Sequence, residues 1–218
     1  SVDVHNNFFE LGGDSILAIQ AIAQATQVGL QFFPRDLFQN PTIAQLATIA
    51  QVQSTPPISQ AAITGPVPLT PMQHWFFQQP FAAPHHWNQS VLLSSQQPLQ
   101  LEPLTQALKQ LMHHHDGLRA TFQQTDGGGW QQTYLSPSDS APLEVVTGSA
   151  RDCAHLVKSE AEAAQASFNL STGPLWKVIY FELEDADQQE YRLFITCHHL
   201  LVDGVSWRIL LSDLQQLY

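Results

Sequence analysis

The sequence predicts a small all-α module over residues 1–50 and a mixed α/β domain over residues 67–218. Apolar residues recur with helical spacing in the first region, whereas segments typical of strands and of helices alternate in the second. Between them lies QVQSTPPISQAAITGP, residues 51–66, which has no such period and contains Pro, Ser, Thr and Gly. That composition predicts a linker. With 44% hydrophobic residues, the chain can bury a sizeable core.

Two helices are predicted in the first module. The first begins at Ser15 and ends before Gly29, because apolar residues recur at helical spacing between them. These residues are Ile16, Ile19, Ile22 and Ala23. For the second helix, Asn40 is the predicted N-cap and Pro41 the first helical residue. Its apolar face consists of Ile43, Leu46, Ala47 and Ala50.

The α/β domain contains seven segments with a clear pattern. The predicted strands are residues 87–94, 130–135, 174–184 and 191–197, and the predicted helices are residues 101–115, 151–166 and 206–218. A run of three glycines at 127–129 predicts a turn. The mixed order of these segments indicates an α/β fold, and the sequence shows no internal repeat.

The stretch ELGGDSILAIQ places Ser15 where a glycine loop meets the first helix. Gly12 and Gly13 carry no side chains, so a large group could approach the serine hydroxyl. Asp14 suits the positive end of the helix dipole. An ordinary N-cap is the alternative, since Asp and Ser are preferred capping residues. The residues alone therefore leave open an exposed serine with a chemical role and a capping serine.

A second stretch with chemical potential is HHLLVDG, between the last strand and the last helix. Adjacent side chains on a strand point to opposite faces, so we expect His198 in the core and His199 in a cleft. A neutral imidazole in a cleft can act as a general base near neutral pH. Gly204 permits close approach of backbone, and Asp203 could orient a side chain or pair with a buried base. Two structurally satisfied histidines remain the alternative.

Charge and composition exclude several classes of protein. The net charge is −11, and no Lys/Arg cluster occurs, so nucleic acid is not an expected partner. The longest apolar runs are too short to span a bilayer, and Ser1 opens no signal-peptide pattern. We therefore expect a cytoplasmic protein without a membrane partner. Cys153 and Cys197 are too few for a disulfide scaffold.

Metal and serine-hydrolase chemistry are not predicted either. The ten histidines include His113, His114 and His115, but contiguous histidines on a helix cannot converge on one ion. We therefore predict no metal site. No G-x-S-x-G nucleophile elbow occurs in the chain.

The two stretches together resemble motifs of nonribosomal peptide synthetases, which make antibiotics and other secondary metabolites. FFELGGDSILAIQ resembles the core motif of peptidyl carrier domains, and this implies that Ser15 carries a covalent 4′-phosphopantetheine attached by a phosphopantetheinyl transferase. HHLLVDGVSWRIL resembles the active-site motif of condensation and epimerization domains. By that resemblance His199 is catalytic, while His198, Asp203 and Gly204 are structural residues near the active site.

Three features favour epimerization over condensation. PLTPMQHWFF, residues 68–77, resembles the opening motif of epimerization domains, and Trp207 directly after Ser206 is typical of them. GGDS in place of GGHS is usual in carriers that precede an epimerization domain. The resemblance therefore implies L-to-D epimerization at the α-carbon of a tethered aminoacyl or peptidyl thioester. A condensation domain and a silent lobe that only docks the carrier are the alternatives.

The resemblance also implies an architecture and a set of partners. The carrier is expected to be a four-helix bundle whose first helix precedes Ser1, and residues 67–218 the first of two chloramphenicol-acetyltransferase-like α/β lobes. A glutamate on the second lobe is expected opposite His199, so this chain alone is expected to be inactive. HHDGLRATF resembles a further motif whose arginine, Arg119, is structural and is expected to pair with Asp203. An adenylation domain is expected upstream, and the second lobe and a later condensation domain downstream.

Overall fold

The computed structural model describes residues 2–52 and 61–218, and the chain divides into two compact units, Ser1–Ser59 and Gln60–Tyr218. The predicted linker at 51–66 has strand residues at both ends, in Gln51–Val52 and Gly65–Val67. Its central part, residues 53–60, lies outside the described residues. The linker therefore stays a prediction.

The first unit contains three described helices and one short strand pair. The helices are α1 (Ser15–Gln27), α2 (Pro34–Gln39) and α3 (Ile43–Ile49), and the strands are β1 (Leu30–Gln31) and β2 (Gln51–Val52). The strands pair antiparallel. Gly29 follows α1 with φ +81°, a left-handed conformation that favours glycine, so α1 ends as predicted. A four-helix bundle stays a prediction.

The predicted start of α3 is wrong. Its N-cap is Thr42, whose Oγ1 accepts a hydrogen bond from Gln45 N at 3.2 Å, while Gln45 Oε1 accepts one from Thr42 N at 3.3 Å. This reciprocal pair satisfies two backbone donors at the helix start. Asn40 instead ends α2, an element that the sequence pattern did not predict, and its N–H donates to Asp36 O at 2.8 Å.

The second unit is built on a four-stranded sheet, in which the first strand along the chain is followed by the fourth, the third and the second. Its strands are β4 (Asn88–Ser95), β7 (Leu143–Gly148), β8 (Trp176–Glu184) and β9 (Gln189–His198). Strands β7 and β8 are parallel, and the other neighbours are antiparallel. A separate antiparallel sheet has the order β3-β6-β5, with β3 (Gly65–Val67), β5 (Ala120–Gln124) and β6 (Trp130–Tyr134).

Helices cover both faces of the larger sheet. They are α5 (Leu101–His114), α6 (Cys153–Ala166) and α7 (Gly204–Leu217), while α4 (Pro71–Gln78) precedes β4. Alternate residues of β8 point to opposite faces. Val178 and Tyr180 share a buried cluster with residues of α5 and α7, whereas Ile179 and Phe181 share one with residues of α6. The β8 strand is therefore buried on both sides, in agreement with the apolar run VIYF at its centre.

The patterned segments of the α/β domain are confirmed as the predicted strands and helices, with boundaries shifted by a few residues. Strands β3 and β7 and helix α4 were not predicted. The helix expected from Arg151 begins at Cys153, after a 3₁₀ turn over Ala150–Asp152. Within the described ranges, no helix is both long and apolar enough to cross a bilayer.

Candidate active site and attachment serine

Asp14, and not Ser15, caps the first helix. Its Oδ1 accepts hydrogen bonds from Ile16 N at 2.9 Å and from Leu17 N at 2.8 Å. Ser15 is the first helical residue and is exposed, and within the described residues its hydroxyl makes no hydrogen bond. Ser15 is therefore not the capping residue. Its side chain is exposed at the positive end of α1.

The two glycines before Asp14 differ in their surroundings. Gly12 has φ +95°, and a Cβ there would meet no atom within 4 Å. A Cβ on Gly13 would lie 2.4 Å from the Phe8 ring and 2.6 Å from Phe8 O. Gly13 is thus required for close packing against Phe8, and only the Gly12 side of the loop is as open as the sequence suggested.

His198, the last residue of β9, is a core histidine. It is 0% exposed, its Nε2 lies 2.9 Å from Pro84 O, and its Nδ1 accepts from Leu200 N at 3.2 Å. Since a carbonyl only accepts, Nε2 carries the proton. Burial lowers the pKa of His198 to about 4. His198 is therefore neutral at physiological pH, with both ring nitrogens satisfied.

His199 lies where the chain leaves β9, and it is half-buried. Its backbone N–H donates to Trp87 O at 2.8 Å, and the Trp87 ring lies 4.7 Å from the imidazole, tilted by 32°. Nδ1 is 2.7 Å from Val202 O, and Nε2 is 2.9 Å from Nε2 of Gln89. The ring thus has a fixed partner at each nitrogen.

The imidazole of His199 lines a cavity of about 330 Å³. One wall comes from the start of α4, through Thr70, Met72 and Gln73, and another from the loop that contains His199. Gln73 Nε2 donates to Leu200 O at 3.3 Å and so joins the two walls. The cavity has room for a small acyl group beside the imidazole.

Gln89 is a site residue that the sequence pattern did not indicate. Its Oε1 accepts from Trp207 Nε1 at 2.9 Å, which directs its NH₂ group toward His199. Gln89 and His199 are 110 residues apart and meet only because β4 pairs with β9. No local pattern could have indicated this contact.

The predicted pair between Arg119 and Asp203 is wrong. The Arg119 side chain is 3% exposed and its NH2 lies 2.5 Å from Asp116 Oδ1. The guanidinium also donates to Leu135 O at 2.9 Å, to Ile63 O at 3.0 Å and to Met112 O. Arg119 therefore joins the end of α5 to the segment before β3.

Asp203 is the N-cap of α7. Its Oδ1 accepts from Val205 N at 3.0 Å, from Ser206 N at 2.8 Å and from Ser206 Oγ at 2.7 Å. The hydrogen bonds from Ser206 lower the pKa of Asp203. Gly204 is the first residue of α7 and is exposed, and a Cβ there would meet no atom within 4 Å of the described structure. Asp203 thus fixes the start of α7, and the space beside Gly204 would admit a Cβ, so the close backbone approach predicted for Gly204 is not seen among the described residues.

One group in the described residues could hold a metal ion. The ligand atoms of His114, His115 and Asp213 lie within 4.8 Å of one another. The three histidines do not lie on one continuous helix as the sequence predicts, because α5 ends at His114 and His115 has φ −99° and ψ 93°. His115 Nε2 is 2.8 Å from Asp213 Oδ2, so this pair already has an explanation as a contact between α5 and α7.

Comparison with known proteins assigns both units to families. Residues 63–218 match the condensation domain, and residues 1–49 match the phosphopantetheine attachment site. The chain belongs to the condensation-domain family. A linear gramicidin synthase protein of Brevibacillus parabrevis is 47% identical over 220 residues, covering 100% of this chain and 4% of that protein. The chain is thus a nonribosomal peptide synthetase carrier segment followed by a condensation-type domain.

Two solved structures resemble this condensation-family chain. The epimerization domain from the third module of tyrocidine synthetase B gives a TM-score of 0.65 at 34% identity, covering 74% of this chain and 36% of that one. The X-domain from teicoplanin biosynthesis gives 0.59 at 25% identity, covering 74% and 34%. These likenesses confirm the chloramphenicol-acetyltransferase-like α/β fold.

Proposed function

We propose that this chain carries an aminoacyl or peptidyl thioester on Ser15 and contributes His199 as one of two acid–base groups that epimerize it from L to D. The observation that carries the proposal is the contact of His199 Nδ1 with Val202 O, an acceptor, in a ring that lines a cavity of about 330 Å³. The 34% identity to an epimerization domain supports the same chemistry.

The hydrogen bonds of His199 suit a general base. Val202 O can only accept, so Nδ1 holds the proton of the neutral ring and Nε2 keeps its lone pair. Once the substrate displaces the Gln89 NH₂ group from Nε2, that lone pair can take the α-proton on one face of the substrate, leaving an enolate on the thioester carbonyl. The glutamate expected on the second lobe then returns a proton to the opposite face of the enolate. The α-carbon regains its hydrogen with inverted configuration.

Residues at the start of α1 fit a covalent phosphopantetheine. The Ser15 hydroxyl is exposed and free of a capping role, and Gly12 leaves open space beside it. When bound, the group supplies the thiol that forms the thioester. Asp14 holds the helix start in place while Ser15 remains accessible.

The attachment step is tested by intact-mass measurement after treatment with coenzyme A and a phosphopantetheinyl transferase. The wild-type chain should gain the mass of one arm, and Ser15→Ala should gain none while keeping its fold. The fold should survive because the cap is Asp14. Loading of Ser15→Ala, or failure to load folded wild type, would overturn the assignment of Ser15.

Condensation is the second candidate, because the family match itself is to the condensation domain. In that case His199 would assist attack of an amine on the thioester. The full-length protein, loaded with an L-aminoacyl group, distinguishes the two. A D-aminoacyl group on the carrier, identified after chemical cleavage of the thioester, supports epimerization. A new amide formed with a second loaded carrier supports condensation, and the absence of both products supports a silent docking lobe.

A further inference from the structure

We propose that Gln89, held by the indole of Trp207, is a positioning residue that keeps Nε2 of His199 unprotonated. The proposal rests on the role of His199 as a base. The two residues are proposed to determine which nitrogen of the neutral His199 ring carries the proton in the chain without substrate. Three consecutive hydrogen bonds carry the argument.

The chain of hydrogen bonds has one direction. Trp207 Nε1 can only donate, so the atom that it contacts at 2.9 Å must be the amide oxygen of Gln89. The NH₂ group of Gln89 then faces His199 Nε2 at 2.9 Å. An NH₂ group can only donate, and His199 Nε2 must therefore accept.

The opposite side of the ring agrees with this assignment. His199 Nδ1 lies 2.7 Å from Val202 O, an acceptor, so Nδ1 must hold the proton. Both contacts of the imidazole thus select the same neutral tautomer. The ring face is held by Trp87, whose centroid lies 4.7 Å away.

The amide of Gln89 has nearly the same shape after a 180° flip, so packing alone cannot fix which of its two ends faces His199. The N–H of Trp207 fixes it by binding the amide oxygen. Without the indole N–H, Gln89 could present its oxygen to His199 Nε2. That oxygen would favour a proton on Nε2, and the nitrogen facing Gln89 would then have no lone pair for the substrate. Trp207 is 9% exposed and sits in the core between the sheet and α7, so its N–H direction is fixed by packing.

The test is ¹⁵N NMR of histidine-labelled chain at a pH where His199 is neutral, with the signal assigned by its loss in His199→Gln. Wild type should show a protonated Nδ1 and an unprotonated Nε2. Trp207→Phe should give a mixture of tautomers. Gln89→Glu keeps an oxygen for Trp207 but places an acceptor at Nε2, while Val202 O still accepts from Nδ1, so the variant should carry a proton on Nε2 as well as on Nδ1.

Matched controls separate these effects from general ones. Trp130→Phe removes an indole that stacks on Phe77 elsewhere in the lobe, and Gln123→Glu changes an exposed amide on β5 in the same way. Both should leave the His199 signals as in wild type. Gln89→Glu nearly preserves the side-chain shape, so it tests the proposal even if Trp207→Phe fails to fold.

In the full-length protein, Trp207→Phe should slow α-proton exchange on the order of tenfold, as expected for the loss of one oriented hydrogen bond. A protonated Nε2 in wild type, or unchanged His199 signals in folded Gln89→Glu, would overturn the proposal. Absence of exchange in wild type would overturn the proposed function instead, because the NMR measurement needs no substrate.

Discussion

Replacing His198 with asparagine should remove part of the acid sensitivity of this fold. The His198 ring is 0% exposed, and burial lowers its pKa from 6.5 to about 4. The unfolded chain therefore binds a proton at this position more readily than the folded chain between those two values. Stability from the neutral ring is present above about pH 6.5 and is lost as the pH falls toward about 4.

The contribution of His198 to the free energy of unfolding follows from the lowering of its pKa. Since one pKa unit corresponds to 1.36 kcal/mol, the full contribution is roughly 3 kcal/mol. Roughly 2 kcal/mol of it should be lost between about pH 7 and about pH 5, because the unfolded histidine is almost fully protonated at the lower value. Asparagine cannot titrate, so this part of the pH dependence should vanish in the variant.

Urea unfolding of wild type and His198→Asn at the two pH values measures the difference. His86→Asn is the matched control, since His86 is an exposed histidine in the nearby loop before β4. Its pH dependence should equal that of wild type. An equal loss of stability in wild type and His198→Asn would refute the reasoning and show that the buried ring takes up its proton without penalty.

Two further predictions concern structural contacts. Arg119→Ala removes a buried, ion-paired guanidinium and should cost roughly 3–5 kcal/mol, whereas Asp203→Ala removes an exposed helix cap and should cost about 1 kcal/mol. In a double-mutant cycle on urea unfolding, the two losses in free energy of unfolding should be additive within about 0.5 kcal/mol. A coupling energy well above that would indicate that Arg119 and Asp203 pair directly after all. Gly13→Ala should lower the thermal stability of the first unit by about 1–3 kcal/mol, because its Cβ would lie 2.4 Å from the Phe8 ring. An unchanged melting temperature would show that this ring moves freely.

Local pattern predicted most of the regular elements. Helix α5 has a strong apolar stripe, and β8 and β9 contain the apolar runs 178–181 and 193–195, so burial favours their structure. Helix α3 was placed too early because Asn40 and Pro41 carry the usual signals of a helix start. The Thr42–Gln45 pair competes with them and prevails, since it satisfies two backbone donors at once.

The site was predictable only where its chemistry is local. Ser15 and His199 each lie in a short stretch that combines a loop, a polar side chain and a helix start. The partners of Arg119 come from α5, the segment before β3 and the residue after β6, and Gln89 comes from the neighbouring strand. Such contacts depend on strand pairing and helix packing, which no short pattern contains.

The central claim is tested most directly by the rate at which solvent deuterium enters the α-carbon of an L-aminoacyl thioester loaded on Ser15 of the full-length protein. Wild type should incorporate deuterium and form the D-aminoacyl thioester, which is identified after chemical cleavage of the thioester. His199→Gln should slow incorporation by roughly 10²–10⁴-fold, the contribution of a general base, without loss of melting temperature. Undiminished exchange in folded His199→Gln, or amide formation without α-exchange in wild type, would contradict the account.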